Sequence, residues 1–330
     1  MKRLIITADD FGASREVNEA VEAAHRDGIL SAASLMVSAP AAADAVARAR
    51  RMPGLRVGLH LVLVEGAPLL PASELTRLVD RRGQLRSDMA ALGALLSVSR
   101  RARRQLAAEI GAQFEAFRAT GLALDHCNAH KHFQLHPVVG DLMASIGRGF
   151  GLRAARAPLE PLDVLRRIEP RTSRAEALVT VPFARFLRRR LRAAGLLTAD
   201  RTFGIRWSGR MTRGRLRTLI AHLPEGLSEI YLHPAVGPYA GCVPEYLYRE
   251  ELDALTAPDV LAACRDGGIE RGGFADFEDL IRRRPAHRAA GTHPAVGSAH
   301  PPIGAAHSAI GAAKVAIGAG PSAVESGGAT

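Results

Sequence analysis

The stretch RLIITADD, residues 3–10, begins with an apolar run and ends in two acids. An apolar run of this length that is bounded by polar residues predicts a buried β-strand. A helix-like segment follows at residues 15–27, and Gly28 is suited to end it. Similar strand-like runs alternate with helix-like segments further along: SAASLMV at 31–37, RVGLHLV at 56–62, LALDHCNAH at 122–130 and EIYLHP at 229–234. This alternation predicts an α/β fold in which helices cover a parallel sheet, either open or closed into a barrel.

Acids and histidines cluster where the predicted strands end. They are Asp9, Asp10, His60, His126, His130, His132 and His233. In parallel α/β folds the functional site lies at this end of the sheet. Asp9 and Asp10 are adjacent in an extended segment, so their side chains are expected to point in opposite directions, one towards a metal and the other towards a substrate. The alternative is that one of these acids caps the helix that follows.

The segment DHCNAHKH at residues 125–132 is hard to explain as core packing. If the strand continues through it, its three histidines lie on one face and can converge on a single cation. His60 lies within an apolar strand and needs a partner, which is either a hydrogen bond in the core or a metal. One Asp and two His leave coordination positions open for water and a carbonyl oxygen, which favours a hydrolase over a structural metal site.

His233 stands at the end of another predicted strand, directly before Pro234. A histidine that titrates near neutral pH is suited to donate a proton in catalysis. A purely structural role is the alternative interpretation.

The composition is that of a globular protein, with 330 residues of which 47% are hydrophobic. The apolar run at the N-terminus is far shorter than a signal peptide or a spanning helix requires, which predicts a cytoplasmic location. The three cysteines show no CxxC spacing, so the pattern indicates neither a disulfide framework nor a zinc–thiolate site.

Basic residues are concentrated in one part of the chain. The formal net charge is +11, and residues 148–218 hold eighteen Arg against five acids. Within it, RFLRRRLRAAG at 185–195 pairs Arg with Phe and Leu, as expected of a helix lying in a lipid headgroup interface, a solvated basic helix being the alternative. We predict a helical insertion at about residues 160–220 that docks on an anionic membrane surface. A basic nucleic-acid-binding protein is the less favoured alternative, because only 5% of residues are aromatic and no stacking motif is present, so nucleic acid is not an expected partner.

The character of the chain changes beyond about Pro285. Four seven-residue units rich in Gly, Pro and Ala run from residue 293 to residue 320. They lack the leucine-like positions of a coiled coil and offer no core. We therefore predict a folded domain at residues 1–284 and a disordered, low-complexity tail at residues 285–330.

Several of these segments together resemble a known family. They are TADDFG at 7–12, GLHL at 58–61, DHCNAHKHFQLHP at 125–137 and EIYLHPA at 229–235. The pattern is similar to that of the YdjC-like (ChbG-type) carbohydrate deacetylases, from residue 1 to about residue 282. Within the family it looks most like the hopanoid-biosynthesis-associated HpnK branch, through NAHKHF and through FGIRWSGRMT at 203–212. Three positions depart from the pattern of many relatives, which have Asp at Asn128, His at Gln134 and Gly at Ala235.

The resemblance implies an irregular (β/α) TIM-like barrel and one divalent metal ion, Mg²⁺ or Zn²⁺. The metal ligands that it implies are Asp10, His60 and His130, with His132 as the alternative to His130. Asp9 matches the catalytic base and His233 the general acid.

The activity that the resemblance implies is hydrolysis of an N-acetyl group on an amino sugar. For the HpnK branch the substrate is an N-acetylglucosaminyl hopanoid, a glycolipid, which agrees with attachment to the inner face of the plasma membrane. A soluble N-acetylated oligosaccharide is the alternative substrate. A phosphoesterase on the same metal site is a third hypothesis, disfavoured because the carboxylates for a second metal are missing.

Overall fold

A parallel sheet forms the centre of the computed structural model, which describes residues 1–171 and 175–283. Its strands are β1 (Lys2–Phe11), β2 (Ala32–Leu35), β3 (Arg56–Leu61), β4 (Cys127–Ala129), β5 (Arg201–Phe203), β6 (Gly226–Leu232) and β7 (Glu270–Arg271). The order across the sheet is β4-β3-β2-β1-β6-β5, and β7 pairs with the start of β1. The apolar residues Leu4, Ile5 and Ile6 of β1 have no exposed surface, as expected for a strand covered on both faces.

The two edges of the sheet approach each other through isolated parallel bridges. Cys127 of β4 bridges to Ala155, and Ala154 bridges to Leu197, which lies four residues before β5. The sheet is therefore curled, as in an irregular barrel. The predicted α/β fold of TIM-like type is confirmed.

Helices follow most of the strands and cover the outside of the sheet. They are α1 (Arg15–Arg26), α2 (Ala42–Arg50), α3 (Met89–Val98), α4 (Arg100–Ala119), α5 (Pro137–Gly149), α6 (Leu162–Ile168), α7 (Ala175–Ala193), α8 (Arg213–Ala221), α9 (Tyr248–Thr256), α10 (Pro258–Asp266) and α11 (Asp279–Arg283). Two 3₁₀ helices span His130–Leu135 and Ala275–Phe277. Helix α1 shows why such segments fold: the Ser14 hydroxyl accepts from the Val17 amide at its start, and Val17, Val21 and Ala24 form one buried face.

Two strand boundaries differ from the sequence prediction. Strand β1 runs on through both acids to Phe11, beyond the predicted apolar run. The strand predicted at 122–130 is shortened to Cys127–Ala129, although the Asp125 amide still donates to the Val57 carbonyl of β3. The Asp125 carboxylate accepts from the amides of Phe274 and Ala275 and ties this segment to the chain after β7.

The span predicted as an insertion, about residues 160–220, contains helices α6, α7 and α8. It also contains β5, which pairs in parallel with β6. Part of this span therefore belongs to the sheet rather than to an added surface. The tail predicted at 285–330 lies outside the described residues.

Substitution of Gly58 in β3 would test the packing inside the barrel. A Cβ at this position would lie 2.5 Å from the ring of His126, which has no exposed surface. We expect Gly58→Ala to lower the free energy of unfolding by about 1–3 kcal/mol, the usual cost of overpacking a core.

Gly111→Ala is the matched control, because a Cβ there has no atom within 4 Å. Gly111 lies inside α4, so the added methyl should stabilise the protein by about 0.5–1 kcal/mol. Denaturant unfolding of both variants would measure the two effects. Equal stability of Gly58→Ala and the parent would contradict the described position of the His126 ring.

Candidate active site

One cavity of about 790 Å³ opens at the carboxyl ends of the strands. Six of the residues singled out from the sequence line it: Asp9, Asp10, His60, His130, His132 and His233. The position agrees with the general location of sites in parallel α/β folds. The volume lies in the upper part of the 300–1,000 Å³ range typical of small-molecule sites.

A β-bulge brings both acids to the same cavity. The pairing of β1 with β2 shifts between Ala8 and Phe11, and Asp10 has a φ of 63°. A bulge re-aims the side chains of the bulged strand. The expectation that Asp9 and Asp10 point to opposite sides is therefore wrong, because it assumed a regular strand.

The Asp10 carboxylate contacts two imidazoles. One of its carboxylate oxygens, Oδ1, lies 3.3 Å from His60 Nε2 and 3.2 Å from His130 Nδ1. The three potential ligand atoms all lie within 4.8 Å of one another. Burial would raise the pKa of Asp10, but the neighbouring His130 and His60 outweigh it and hold the pKa well below its usual value. An ionised carboxylate beside two imidazoles is a donor set that fits a divalent cation such as Zn²⁺ or Mg²⁺.

The three histidines of the segment at 125–132 reach three different environments. The strand ends at Ala129, and Lys131 and His132 adopt left-handed backbone angles in the 3₁₀ turn that follows. As a result His130 faces Asp10, whereas His132 Nε2 lies 2.8 Å from the Tyr231 hydroxyl. His126 is buried in the core, away from the cavity. The predicted single face of three histidines is wrong because the strand does not continue.

Backbone strain is concentrated at this cavity. Four non-glycine residues in the described part of the chain have positive φ angles: Asp10, Glu65, Lys131 and His132. All four line the cavity. Such conformations cost about 1–3 kcal/mol each and persist where the surrounding structure enforces them, which is common at functional sites.

Asp9 is held by a buried arginine that sequence reasoning missed. Arg156 Nη1 and Nη2 donate to the two carboxylate oxygens of Asp9 at 2.5 and 3.0 Å, and its Nε donates to Glu229 at 2.9 Å. Burial would raise the pKa of Asp9, but the charge of Arg156 outweighs it and keeps the pKa far below the usual value of 3.8. Asp9 is therefore a carboxylate at neutral pH. Arg156 is one of eighteen Arg in the basic region, and no local pattern distinguishes it.

His233 is fixed by its backbone and by neighbouring rings. Its amide donates to Glu251 at 2.5 Å, and its ring centroid lies 5.7 Å from that of Tyr231 and 5.2 Å from that of Tyr246. Burial lowers the pKa of His233, although both aspartates oppose that shift. The imidazole is therefore mostly neutral at pH 7 and has to receive a proton before it can donate one.

All four tyrosines of the chain line the cavity. They are Tyr231, Tyr239, Tyr246 and Tyr248. Tyr246 packs so closely on Gly209 that a Cβ there would lie 2.1 Å from its ring, and its hydroxyl lies 3.0 Å from the Ser208 hydroxyl. Amphipathic rings of this kind suit ligands with both apolar faces and hydroxyl groups. Their spacing in the sequence gives no sign that they meet.

Arg156 provides a stability test of this arrangement. Arg156→Met leaves the carboxylates of Asp9 and Glu229 buried without their counter-charge, so we expect the free energy of unfolding to fall by about 3–5 kcal/mol. The double variant Arg156→Met/Glu229→Gln removes one of those charges and should recover part of the loss. Urea unfolding measures both. Equal stability of the single and double variants would show that the two acids do not depend on Arg156.

The chain is similar to known proteins in both sequence and structure. The family model described as YdjC-like protein matches residues 3–266. A protein named carbohydrate deacetylase from Geobacillus stearothermophilus is 30% identical over 84% of this chain and 98% of its own length. Proteins of the same name from Thermoanaerobacter pseudethanolicus and Mus musculus are 28% and 29% identical, over 82% and 86% of this chain and 96% of each relative.

A solved structure shares the fold. It is that of a candidate cellobiose-phosphate cleavage protein from Enterococcus faecalis, with a TM-score of 0.65 and 21% identity over 84% of this chain and 98% of that chain. The family model spans most of the described chain, including the strand ends that carry the six cavity residues. This chain belongs to the YdjC-like protein family.

Proposed function

We propose that this protein is a metal-dependent carbohydrate N-deacetylase. The observation that carries the proposal is the group Asp10, His60 and His130 in one cavity with Asp9 and His233. Relatives that match over nearly their whole length bear the name carbohydrate deacetylase, which supports the same reaction class. The reaction is hydrolysis of an amide, which yields acetate and a free amino sugar.

The metal ligands in this proposal are Asp10 Oδ1, His60 Nε2 and His130 Nδ1, which lie close enough together to share one cation. When bound there, a divalent cation would polarise the acetyl carbonyl and lower the pKa of a water molecule. Asp9, ionised and fixed by Arg156, accepts the proton of the attacking water. His233 takes a proton from solvent and passes it to the nitrogen of the departing amine as the carbon–nitrogen bond breaks, and Asp9 returns its proton to solvent. Both transfers are ordinary general acid–base steps.

The roles of the two aspartates can be separated by mutation. Asp10→Asn and His60→Ala should lose both bound metal and acetate release. Asp9→Asn and His233→Ala should keep about one metal per chain and lower turnover by on the order of 10²-fold or more. His132→Ala, which removes a histidine outside the ligand group, should keep the metal. Metal analysis and acetate release measure these outcomes, and full activity of rigorously metal-free protein would contradict the proposal.

The proposed substrate is an amino sugar attached to a lipid, with an N-acetylglucosaminyl hopanoid as the specific candidate. Much of the cavity wall away from the acids is apolar, through residues such as Met36, Val62, Met89, Leu135, Phe183 and Ile205. The volume of about 790 Å³ leaves room for part of an apolar group beyond the sugar. The alternative, a soluble N-acetylated oligosaccharide, is favoured by the four tyrosines.

Apolar side chains are exposed at the cavity. Of the six large hydrophobic residues that are exposed in the described part of the chain, Val243 lines the cavity and Leu247 lies between the lining residues Tyr246 and Tyr248. An apolar rim supports docking of the cavity mouth on a lipid surface. No helix in residues 1–171 and 175–283 is long and apolar enough to span a membrane.

The basic helix contributes less to such a surface than its sequence suggests. Leu187 and Leu191 are buried against the fold, and Arg190 and Arg192 form ion pairs with Asp141 and Asp200. The expectation that the whole segment lies in the headgroup region is therefore not met, because Leu187 and Leu191 pack on the protein.

Arg185, Phe186 and Arg189 are exposed residues of this segment. We propose that these three side chains, together with the apolar rim, bring the protein to the anionic inner face of the plasma membrane.

Vesicle binding tests this proposal. Each Arg near an anionic surface contributes roughly 1 kcal/mol, so Arg185→Gln/Arg189→Gln should weaken binding to phosphatidylserine vesicles by roughly 30-fold at moderate salt. The control is Arg26→Gln/Arg118→Gln, which removes the same charge from the last turns of α1 and α4, at the other end of the barrel. If the two double variants bind the vesicles with equal affinity, the proposed membrane surface is wrong.

A further inference from the structure

A continuous chain of buried hydrogen bonds runs from the candidate metal site into the barrel. His60 Nδ1 lies 2.7 Å from Asn128 Oδ1. Asn128 Nδ2 lies 3.1 Å from Asp9 Oδ1 and 3.0 Å from the Ser34 hydroxyl. Asn128 and Ser34 have no exposed surface, and Asp9 and His60 are 2% exposed. Asn128 thus touches both a proposed metal ligand and the proposed base.

The chemistry of these groups fixes the direction of each bond. Both carboxylate oxygens of Asp9 accept from the Arg156 guanidinium, and the Asn128 amide nitrogen is the atom that faces Asp9 Oδ1 as a further donor. The amide oxygen then faces His60 and can only accept, which places a proton on His60 Nδ1. In the neutral ring, this tautomer leaves the lone pair of His60 Nε2 pointing at Asp10, where a cation would bind.

The chain of hydrogen bonds continues beyond Asn128 to Asp125. Its second N–H is directed at the Ser34 oxygen, so the Ser34 hydroxyl proton is free to point at His126 Nε2, which lies 3.0 Å away. His126 Nδ1 then donates to Asp125 Oδ2 at 2.8 Å. Asp125 accepts two further bonds, from the amides of Phe274 and Ala275 at 3.1 and 2.8 Å. The chain ends at a carboxylate that can only accept, so every donor has an acceptor.

We propose that Asn128 is a positioning residue for this site. Its oxygen selects the His60 tautomer that can bind a metal through Nε2, and its nitrogen fixes Asp9 together with Arg156. Ser34, His126 and Asp125 hold the Asn128 amide in that orientation. The inference rests on the proposed metal-dependent function, because it assigns a metal to Asp10, His60 and His130.

The residue type at position 128 follows from these contacts. An Asp there could accept from His60 but could not donate to Asp9 or Ser34. It would also place a second negative charge beside Asp9. The contact that requires an amide at position 128 is the one with Asp9, because Asp9 can only be served by a donor while the same side chain accepts from His60.

The first test is calorimetric titration of metal-stripped protein with Zn²⁺. Groups that orient a metal-binding histidine typically change metal affinity by about 10–100-fold, so Asn128→Ala should weaken Zn²⁺ binding by that factor. Asn128→Asp keeps an acceptor for His60 and should bind Zn²⁺ within several-fold of the parent, while its acetate release falls. Thr198→Val is the control, because it removes a buried acceptor of Arg192 that does not line the cavity, and it should leave Zn²⁺ affinity unchanged.

The second test needs neither metal nor substrate. Nitrogen-15 spectra of the histidine rings in the metal-free parent should show His126 as a neutral ring with its proton on Nδ1. A proton on His126 Nε2, or Zn²⁺ affinities of Asn128→Ala equal to those of the parent, would overturn the inference. Equal weakening by Asn128→Ala and Asn128→Asp would overturn it as well. If no N-acetylated sugar is hydrolysed but these Zn²⁺ and nitrogen-15 results are obtained, the proposed reaction fails while the positioning role of Asn128 stands.

Discussion

The rest of the site depends on the ion pairs that the buried guanidinium of Arg156 makes with Asp9 and Glu229. The guanidinium joins Asp9 on β1 to Glu229 on β6 and lies against the ring of Tyr231, with its carbon 4.6 Å from the ring centroid. Arg156 directly follows Ala155, one of the bridge residues through which the curled sheet closes. The closure of the sheet and the charge balance of the cavity therefore depend on the same residue. A buried cation between two carboxylates is stable only because each charge has its partner.

The contacts around Arg156 give neighbouring residues different chemical roles. Asp9 is bound to Arg156 and Asn128, which leaves Asp10 to meet His60 and His130. The bulge in β1 makes this division between adjacent residues possible, because both side chains reach one cavity. The strained turn at Lys131 and His132 similarly sends His130 to Asp10 and His132 to Tyr231. These departures from regular backbone geometry direct neighbouring side chains to different partners, which a regular strand would not do.

Patterns in the sequence predict the parts of this protein that depend on local order. Buried strands are marked by apolar runs, and the acids and histidines at their ends mark the cavity, because parallel strands bring their carboxyl ends together. Arg156, Glu251 and the four tyrosines could not be found in this way, since long-range contacts bring them to the site and their local sequence is ordinary. The orientation of Asp10 and the separation of His130 from His132 depend on a bulge and a 3₁₀ turn, and periodicity assumes that neither exists. The buried face of the basic helix was missed because an Arg-rich segment looks exposed throughout.

The central claim is that this cavity hydrolyses the N-acetyl group of an amino sugar. Its most direct test is incubation of the full chain, a divalent cation and an N-acetylglucosaminyl lipid in water enriched in oxygen-18, followed by mass spectrometry of both products. The account predicts acetate that carries one oxygen-18 atom and a glycolipid lighter by one acetyl group, with neither product formed when Asp10 is replaced by Asn. An unchanged glycolipid and no labelled acetate from any N-acetylated sugar offered, in the presence of bound metal, would contradict it.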